Sequence, residues 1–362
     1  MKKIILAVGQ LFGGGAERVV SIWSSKLSNA GYDVSILICG RGENEYQISR
    51  NVKILSIASE YNEFQKMSYI KRYFSYRSIL KKEKPDVVIS FLPTTQIWCN
   101  LASIGLKFKR IETVRNNPWY SFQKNRISKF LWRRCFNKAN RIIVQTNEQI
   151  EFFSKKNQKK CVVISNPLTP KIIDNEPKKL SNKICNFIAS GRLNPQKNYP
   201  LMIEAFRIAH ENYPSIKLNI FGKGNEQYVQ ELEKIIKEKK LENVVFLKGY
   251  SSEVLKEYEN ADAFLMTSDY EGLPNSLIEA MASKLICIST DCKTGPKDLI
   301  DDGVSGFLAK TGDAKSICDC IISAINLSPT QIENMGNNAR KKIIDFCSDE
   351  KSFKALLEVI EN

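Results

Sequence analysis

Two glutamates, Glu271 and Glu279, stand eight residues apart around a Gly-Leu-Pro turn in DYEGLPNSLIEA (269–280). Glu279 lies in the apolar run LIEAMA, and an ionised carboxylate buried there costs several kcal/mol unless donors surround it. Ligand hydroxyls are suitable donors. Pro274 sits where a helix would begin, which predicts a buried helix over 275–283. The N–H groups of Asn275, Ser276 and Leu277 would then point out of its mouth, beside Glu271. A diphosphate at that mouth with a sugar on either side fits both acids. The plainer alternative is a structural ion pair at Glu279 and a capping carboxylate at Glu271.

A second cluster precedes it. SGRLNPQKNYP (190–200) ends a strand pattern and carries Arg192 and Lys197. A guanidinium makes forked contacts to phosphate oxygens, and an ammonium acts as a compact point charge. A third candidate is LFGGGAERVV (11–20), where Gly13, Gly14 and Gly15 let a backbone approach a ligand at a helix N-terminus. It matches neither G-x-G-x-x-G nor a P-loop, and a flexible strand-to-helix turn is its alternative reading.

These clusters need a scaffold, and the chain supplies one twice. Strand patterns at 3–8, 33–39, 52–57, 86–92, 110–114, 141–146 and 161–165 alternate with helical ones at 16–29, 66–83 and 122–138. After a polar, proline-bearing stretch the alternation restarts, with strands at 184–190, 216–222, 243–249, 262–268 and 285–290. The pattern predicts an α/β protein of two Rossmann-like doubly wound domains, 1–167 and 184–346, joined by a linker at 168–183. The cleft between them is the expected site.

The 362 residues suit two domains, and 43% hydrophobic with 26% charged residues describes a soluble globular chain. No apolar run reaches the roughly 18 residues of a membrane span. The opening MKKIILAV is too short for a secretion signal and reads as a first strand. Ten cysteines show no metal or redox spacing, so they read as reduced core thiols in a cytosolic protein. Residues 1–167 carry 29 Lys/Arg against 11 Asp/Glu, whereas the remainder holds 25 against 28. The first half is built to meet an anion. Between 105 and 141 eleven basic residues meet one acid, Glu112, with Phe108, Trp119, Tyr120, Phe122, Phe130, Trp132 and Phe136 interleaved. The stretch 69–84 repeats this character. An anionic membrane surface fits best, against nucleic acid or a plain solvated helix face.

Together GGGAERV, GRLNPQKN, EGLPNSLIEAMAS with its E-x7-E, and GPKDLI…DGVSGFL (295–308) resemble the retaining GT-B glycosyltransferases of the large family 4. The resemblance covers nearly the whole chain and is weaker over 40–110. It implies transfer of a hexosyl or N-acetylhexosaminyl group from a nucleotide diphosphate-sugar, commonly a UDP-sugar, with retention and no required metal. Arg192 and Lys197 would bind the diphosphate, Glu271 the donor-sugar hydroxyls and Glu279 the ribose. The Gly14 and Gly15 backbone would face phosphate, and Lys248 and Tyr250 would hold the base. Many relatives carry a histidine where this chain has Arg115, in ETVRNNPW. Its one histidine, His210, is on a helix of the second domain, so Arg115 is left as a cation near the sugar or acceptor. The resemblance further implies a cytoplasmic enzyme, peripheral on the inner face of the plasma membrane, glycosylating a polyprenyl-diphosphate-linked glycan, with helix 347–362 crossing back to the first domain. A nucleotide-sugar epimerase would need cleft acid/base residues that are not identifiable. A nucleic-acid-binding protein would have no use for E-x7-E and shows no matching motif.

Overall fold

The computed structural model describes every residue except 13, 43–44, 122–124, 169–171, 173–176 and 178–180. Gly13, Phe122 with the expected start of helix 122–138, and most of the 168–183 linker lie outside the described residues. The chain divides into two compact units, Met1–Pro167 with Asp349–Asn362, and Leu168–Ser348.

The first unit is built on a parallel sheet of β1 (Lys3–Ala7), β2 (Asp33–Ile38), β3 (Lys53–Ser56), β4 (Val87–Ser90), β5 (Lys109–Thr113), β6 (Arg141–Val144) and β7 (Cys161–Val163). Its order is β3-β2-β1-β4-β5-β6-β7. The strands read as unbroken apolar runs because helices cover both faces. Its helices are α1 (Gly15–Asn29), α2 (Tyr61–Lys66), α3 (Tyr69–Glu83), α4 (Pro93–Ala102), α5 (Arg126–Lys138), α6 (Asn147–Ile150) and α7 (Lys155–Gln158). Ile4 and Leu6 pack under Trp23 and Leu27 of α1, whereas Ile5 and Ala7 pack under Tyr76, Leu80 and Trp98 of α3 and α4. The helix expected over 66–83 is α3, which begins three residues later, and α2 before it had no counterpart in the sequence reading. Met67 turns extended after α2, and the Ser68 side chain accepts the Lys71 N–H to start α3 afresh.

The second unit repeats the scheme with β8 (Asn186–Ser190), β9 (Lys217–Phe221), β10 (Val245–Gly249), β11 (Ala263–Met266), β12 (Ile286–Thr290) and β13 (Phe307–Ala309), in the order β10-β9-β8-β11-β12-β13. Its helices are α8 (Tyr199–Asn212), α9 (Glu226–Glu238), α10 (Val254–Glu259), α11 (Asn275–Ala282), α12 (Pro296–Leu299), α13 (Ala314–Ile325) and α14 (Pro329–Phe346). Strand β13 has no counterpart in the sequence reading. Its three residues are too few to show a period, and pairing Phe307 with Ile288 is what makes them a strand. The last helix, α15 (Asp349–Glu361), belongs to the first unit, where Leu356, Val359 and Ile360 are buried in its core. Ser165 and Ser352 hydroxyls meet at 3.0 Å to fix its start.

Each sheet reverses its winding once, between β1 and β4 and between β8 and β11. Ligands of such sheets bind beyond the strand carboxyl ends at this reversal. Every paired strand is parallel, so the loops that follow β8 and β11 leave the same edge side by side.

Candidate active site

The loop after β8 is GRLNPQKN and the loop after β11 is TSDYEGLP, so the two motifs far apart in sequence become neighbours. The first is held by its asparagines. Asn194 Oδ1 accepts the Lys197 N–H at 3.3 Å around a single 3-10 turn, Pro195–Lys197, and Asn198 Oδ1 accepts the Leu201 N–H to open α8. The second loop is then tied to it. Thr267 Oγ1 lies 3.0 and 3.1 Å from the carbonyls of Lys197 and Asn198. Asp269 N–H donates to the Gln196 carbonyl at 2.9 Å, Gln196 Nε2 to the Tyr270 carbonyl at 2.8 Å, and Asn198 Nδ2 to Asp269 Oδ1 at 2.8 Å.

At the centre of this weave Lys197 Nζ stands 2.7 Å from Glu271 Oε1. Ser268 Oγ donates to the same oxygen at 2.7 Å. Both side chains of the pair are largely buried, so each charge requires the other. The sequence reading set Lys197 against a diphosphate and Glu271 against a sugar separately. The fold joins them as one charge-compensated unit. Behind Glu271 the GPKDLI segment acts as a buttress. Thr294 Oγ1 donates to the Glu271 carbonyl. Gly295 has φ 93°, and a Cβ there would lie 2.5 Å from the Gly272 carbonyl oxygen. Thr294 itself adopts φ 68°, a strained value for a β-branched residue.

Helix α11 is buried from Leu277 to Ala282, Glu279 included. Pro274 is its cap residue and not its first helical residue, with φ −74° and ψ 108°. Its ladder starts with Ile278 N–H to the Pro274 carbonyl at 3.1 Å, so the N–H groups of Asn275, Ser276 and Leu277 precede it at the mouth. Arg192 is exposed in the first loop and forms no ion pair among the described residues. Lys248 is exposed at the end of β10, 5.0 Å over the Phe246 ring. Tyr250 is exposed just beyond it, and Lys223 Nζ lies 4.9 Å over its ring. The sequence reading omitted Lys223. Its signal was the FGKGN turn at the carboxyl end of β9, the same position that Arg192 holds after β8.

In the first unit Gly14 caps α1 and Gly15 is its first residue. A Cβ on Gly14 would fall 2.1 Å from Glu17 Oε2. The acid at the third helical position thus folds back over the mouth where an incoming anion was expected. An acid in a first turn complements the helix dipole. Leu92, at the reversal between β1 and β4, has φ 65°. Nothing in its sequence announced that strained backbone.

Arg115 follows β5. Its guanidinium stacks 4.5 Å over Trp23 and 5.5 Å over Phe91, and Nη1 donates to Asn166 Oδ1 at 3.3 Å. Nε and Nη2 are buried without a hydrogen-bond partner, and desolvation pulls the pKa down to about 9. His210 is in the last turn of α8. Near Arg115, Glu112 is fully buried at the end of β5, where desolvation raises its pKa to about 8 against the opposing Ser90 hydroxyl at 2.6 Å. No cysteine is paired, and no group of three His, Cys, Asp or Glu among the described residues is placed to hold a metal ion.

Residues 171–342 match the family model of glycosyl transferases group 1, and residues 10–146 match that of glycosyl transferase 4-like domains. A Campylobacter jejuni protein, GalNAc-alpha-(1->4)-GalNAc-alpha-(1->3)-diNAcBac-PP-undecaprenol alpha-1,4-N-acetyl-D-galactosaminyltransferase, is 32% identical over 96% of this chain and 95% of its own. This chain belongs to the group 1 glycosyltransferases. An uncharacterized glycosyltransferase of Methanocaldococcus jannaschii is 31% identical over 64% of this chain and 62% of its own length. In solved structures, a point mutant of Staphylococcus aureus TarM in complex with fondaparinux, alpha-GlcNAc-glycerol and UDP superposes with a TM-score of 0.83 over the full length of both chains at 18% identity. The group 1 glycosyltransferase therefore has the GT-B two-domain α/β fold.

Proposed function

We propose that this glycosyltransferase moves a hexosyl or N-acetylhexosaminyl group from a UDP-sugar to a polyprenyl-diphosphate-linked glycan, with retention at the anomeric carbon and without a metal ion. The observation that carries the reading is the Lys197–Glu271 pair at the winding reversal of the second unit, flanked by exposed Arg192 and by the mouth of α11. Two cations and a helix N-terminus suit a leaving diphosphate, whose negative charge grows as the bond to the sugar breaks. Glu271, held by Lys197 and Ser268, offers acceptor oxygens to sugar hydroxyls, and Glu279 offers them to the ribose. Lys248 and Tyr250, with Lys223, supply a flat and cationic seat for the base.

In this reaction the C1–O bond to the diphosphate breaks and a C1–O bond to the acceptor hydroxyl forms on the same face. The acceptor proton passes to the departing phosphate oxygen. Arg115 is the cation that the first unit offers to the acceptor. The acceptor class is supported by the basic first half of the chain and by the Campylobacter relative, whose name specifies an undecaprenol-diphosphate glycan. An enzyme with that substrate works at the inner face of the plasma membrane.

The test is transfer from a panel of nucleotide-sugars to a synthetic polyprenyl-diphosphate sugar, with product stereochemistry read by NMR. Glu271→Ala is expected to lose transfer while still melting cooperatively, at a temperature lowered because Lys197 loses its partner. Near-normal turnover in that variant would refute the site.

A further inference from the structure

We infer that the first two turns of α3 and α5 form a membrane-insertion edge, with Tyr69, Ile70, Phe74, Ile127 and Phe130 entering an anionic bilayer among a collar of lysines and arginines. The proposed lipid-linked acceptor gives this edge its purpose, and its test is separate from that of the acceptor.

The exposures set these five side chains apart. Tyr69 is 75% exposed, Ile70 71%, Phe74 62%, Ile127 75% and Phe130 58%. A solvated helix face would be polar, and exposed large apolar groups in one cluster mark an interaction surface. They are not the core stripes of their helices, which are Tyr76 and Leu80 on α3 and Trp132, Cys135 and Phe136 on α5. The other exposed large side chains are scattered: Tyr250, Val304, Ile104 and Tyr120 stand singly in loops, and Ile344 alone on α14.

Topology brings the five to one end. Helices α3 and α5 both pack against α4 between them. Each runs into the start of the next strand, α3 into β4 and α5 into β6, so each begins at the carboxyl ends of the strands. All five residues lie within the first six positions of their helices. The Tyr69 ring stacks on Trp98 of α4 at 5.9 Å, which ties the α3 tip to the middle helix. The edge therefore occupies the end of the sheet where ligands of this fold bind.

Charge selects the occupant. Helix α5 has five Lys/Arg and no acid, and α3 has five with its one acid, Glu83, at the far end. The cations lean on the aromatic rings, Arg72 at 5.4 Å over Tyr69 and Arg134 at 5.6 Å over Phe130. That is how long basic side chains sit at an interface, with stems on apolar surface and heads toward phosphate. Each cation near an anionic leaflet adds to the attraction. A second copy of the chain would set like charges face to face, and a nucleic acid backbone has no use for Ile70 and Ile127. No helix among the described residues is long and apolar enough to cross a membrane, so this is attachment from one side.

The experiment is co-sedimentation of the full chain with phosphatidylglycerol vesicles and with phosphatidylcholine vesicles. It compares wild type with a variant carrying Ile70→Ser, Phe74→Ser, Ile127→Ser and Phe130→Ser. Wild type is expected to prefer phosphatidylglycerol and to keep part of its binding in high salt. The four-serine variant is expected to bind about tenfold more weakly or worse, with an unchanged melting temperature and unchanged transfer to a short-chain soluble acceptor. Equal binding by the variant, no preference for the anionic lipid, or a wild-type dimer that the serines dissociate would overturn the inference. Vesicle binding without transfer to a lipid-linked acceptor would sink the acceptor reading and leave the edge standing.

Discussion

Glu271 Oε1 receives two donors at once, Lys197 Nζ at 2.7 Å from one loop and Ser268 Oγ at 2.7 Å from its own. The carboxylate is oriented by groups that come from opposite sides of the winding reversal. Lys197→Ala removes the cation and leaves the acid in a largely buried place. The expected cost is about 3 kcal/mol in urea unfolding, with transfer slowed on the order of 10²- to 10³-fold. The double variant Lys197→Met, Glu271→Gln should recover most of that stability and none of the turnover. A double variant no more stable than Lys197→Ala would mean that the pair is not energetically coupled.

Gly295 is required by both its backbone and its neighbour. A side chain there would have to bear φ 93° and displace the Gly272 carbonyl that lies 2.5 Å from the Cβ position. Gly295→Ala is expected to destabilise by about 2 kcal/mol and to raise KM for the donor, because the Glu271 loop shifts with Gly272. Unchanged KM with lowered stability would restrict Gly295 to a packing role.

Glu112 makes stability fall with pH. Burial raises its pKa to about 8, above the ordinary 4.5, so the folded chain keeps a proton that the unfolded chain releases. Its contribution is fully present below about 4.5 and is lost as pH rises through about 8. Glu112→Gln, which keeps the shape and removes the titration, should flatten the decline of the urea midpoint across that window. An equally steep decline in the variant would assign it to other groups.

Arg115 trades stability for charge. Two of its nitrogens are buried without hydrogen-bond partners, and its pKa is drawn down to about 9 by desolvation. The stack on Trp23 recovers only part of that cost. Arg115→Met is expected to melt higher, by about 1 kcal/mol of stability, while transfer falls. A clear loss of stability would show that the stack outweighs the desolvation.

Much of the fold was legible because its signals are local. A strand buried on both faces needs an unbroken β-branched run, as in KIILA and VVIS, and each such run is a strand. The candidate clusters were legible as well, since glycine, proline and asparagine punctuate the turns at strand ends where this fold keeps its sites. Where the reading failed, the deciding contact was not local. Ser68 set the start of α3 by capping, three residues later than expected, and three residues at Phe307 became a strand only by pairing.

The sequence by itself determined two α/β units in series, their parallel strands and the residue types poised at the strand ends. Tertiary structure alone decided that Lys197 meets Glu271, that Thr294 and Gly295 brace the same loop, and that five apolar side chains share one edge. The reason is strand order. Periodicity shows which residues are buried but not which strands become neighbours, and only the placement of β8 beside β11, and of α3 and α5 about α4, brings distant residues within reach.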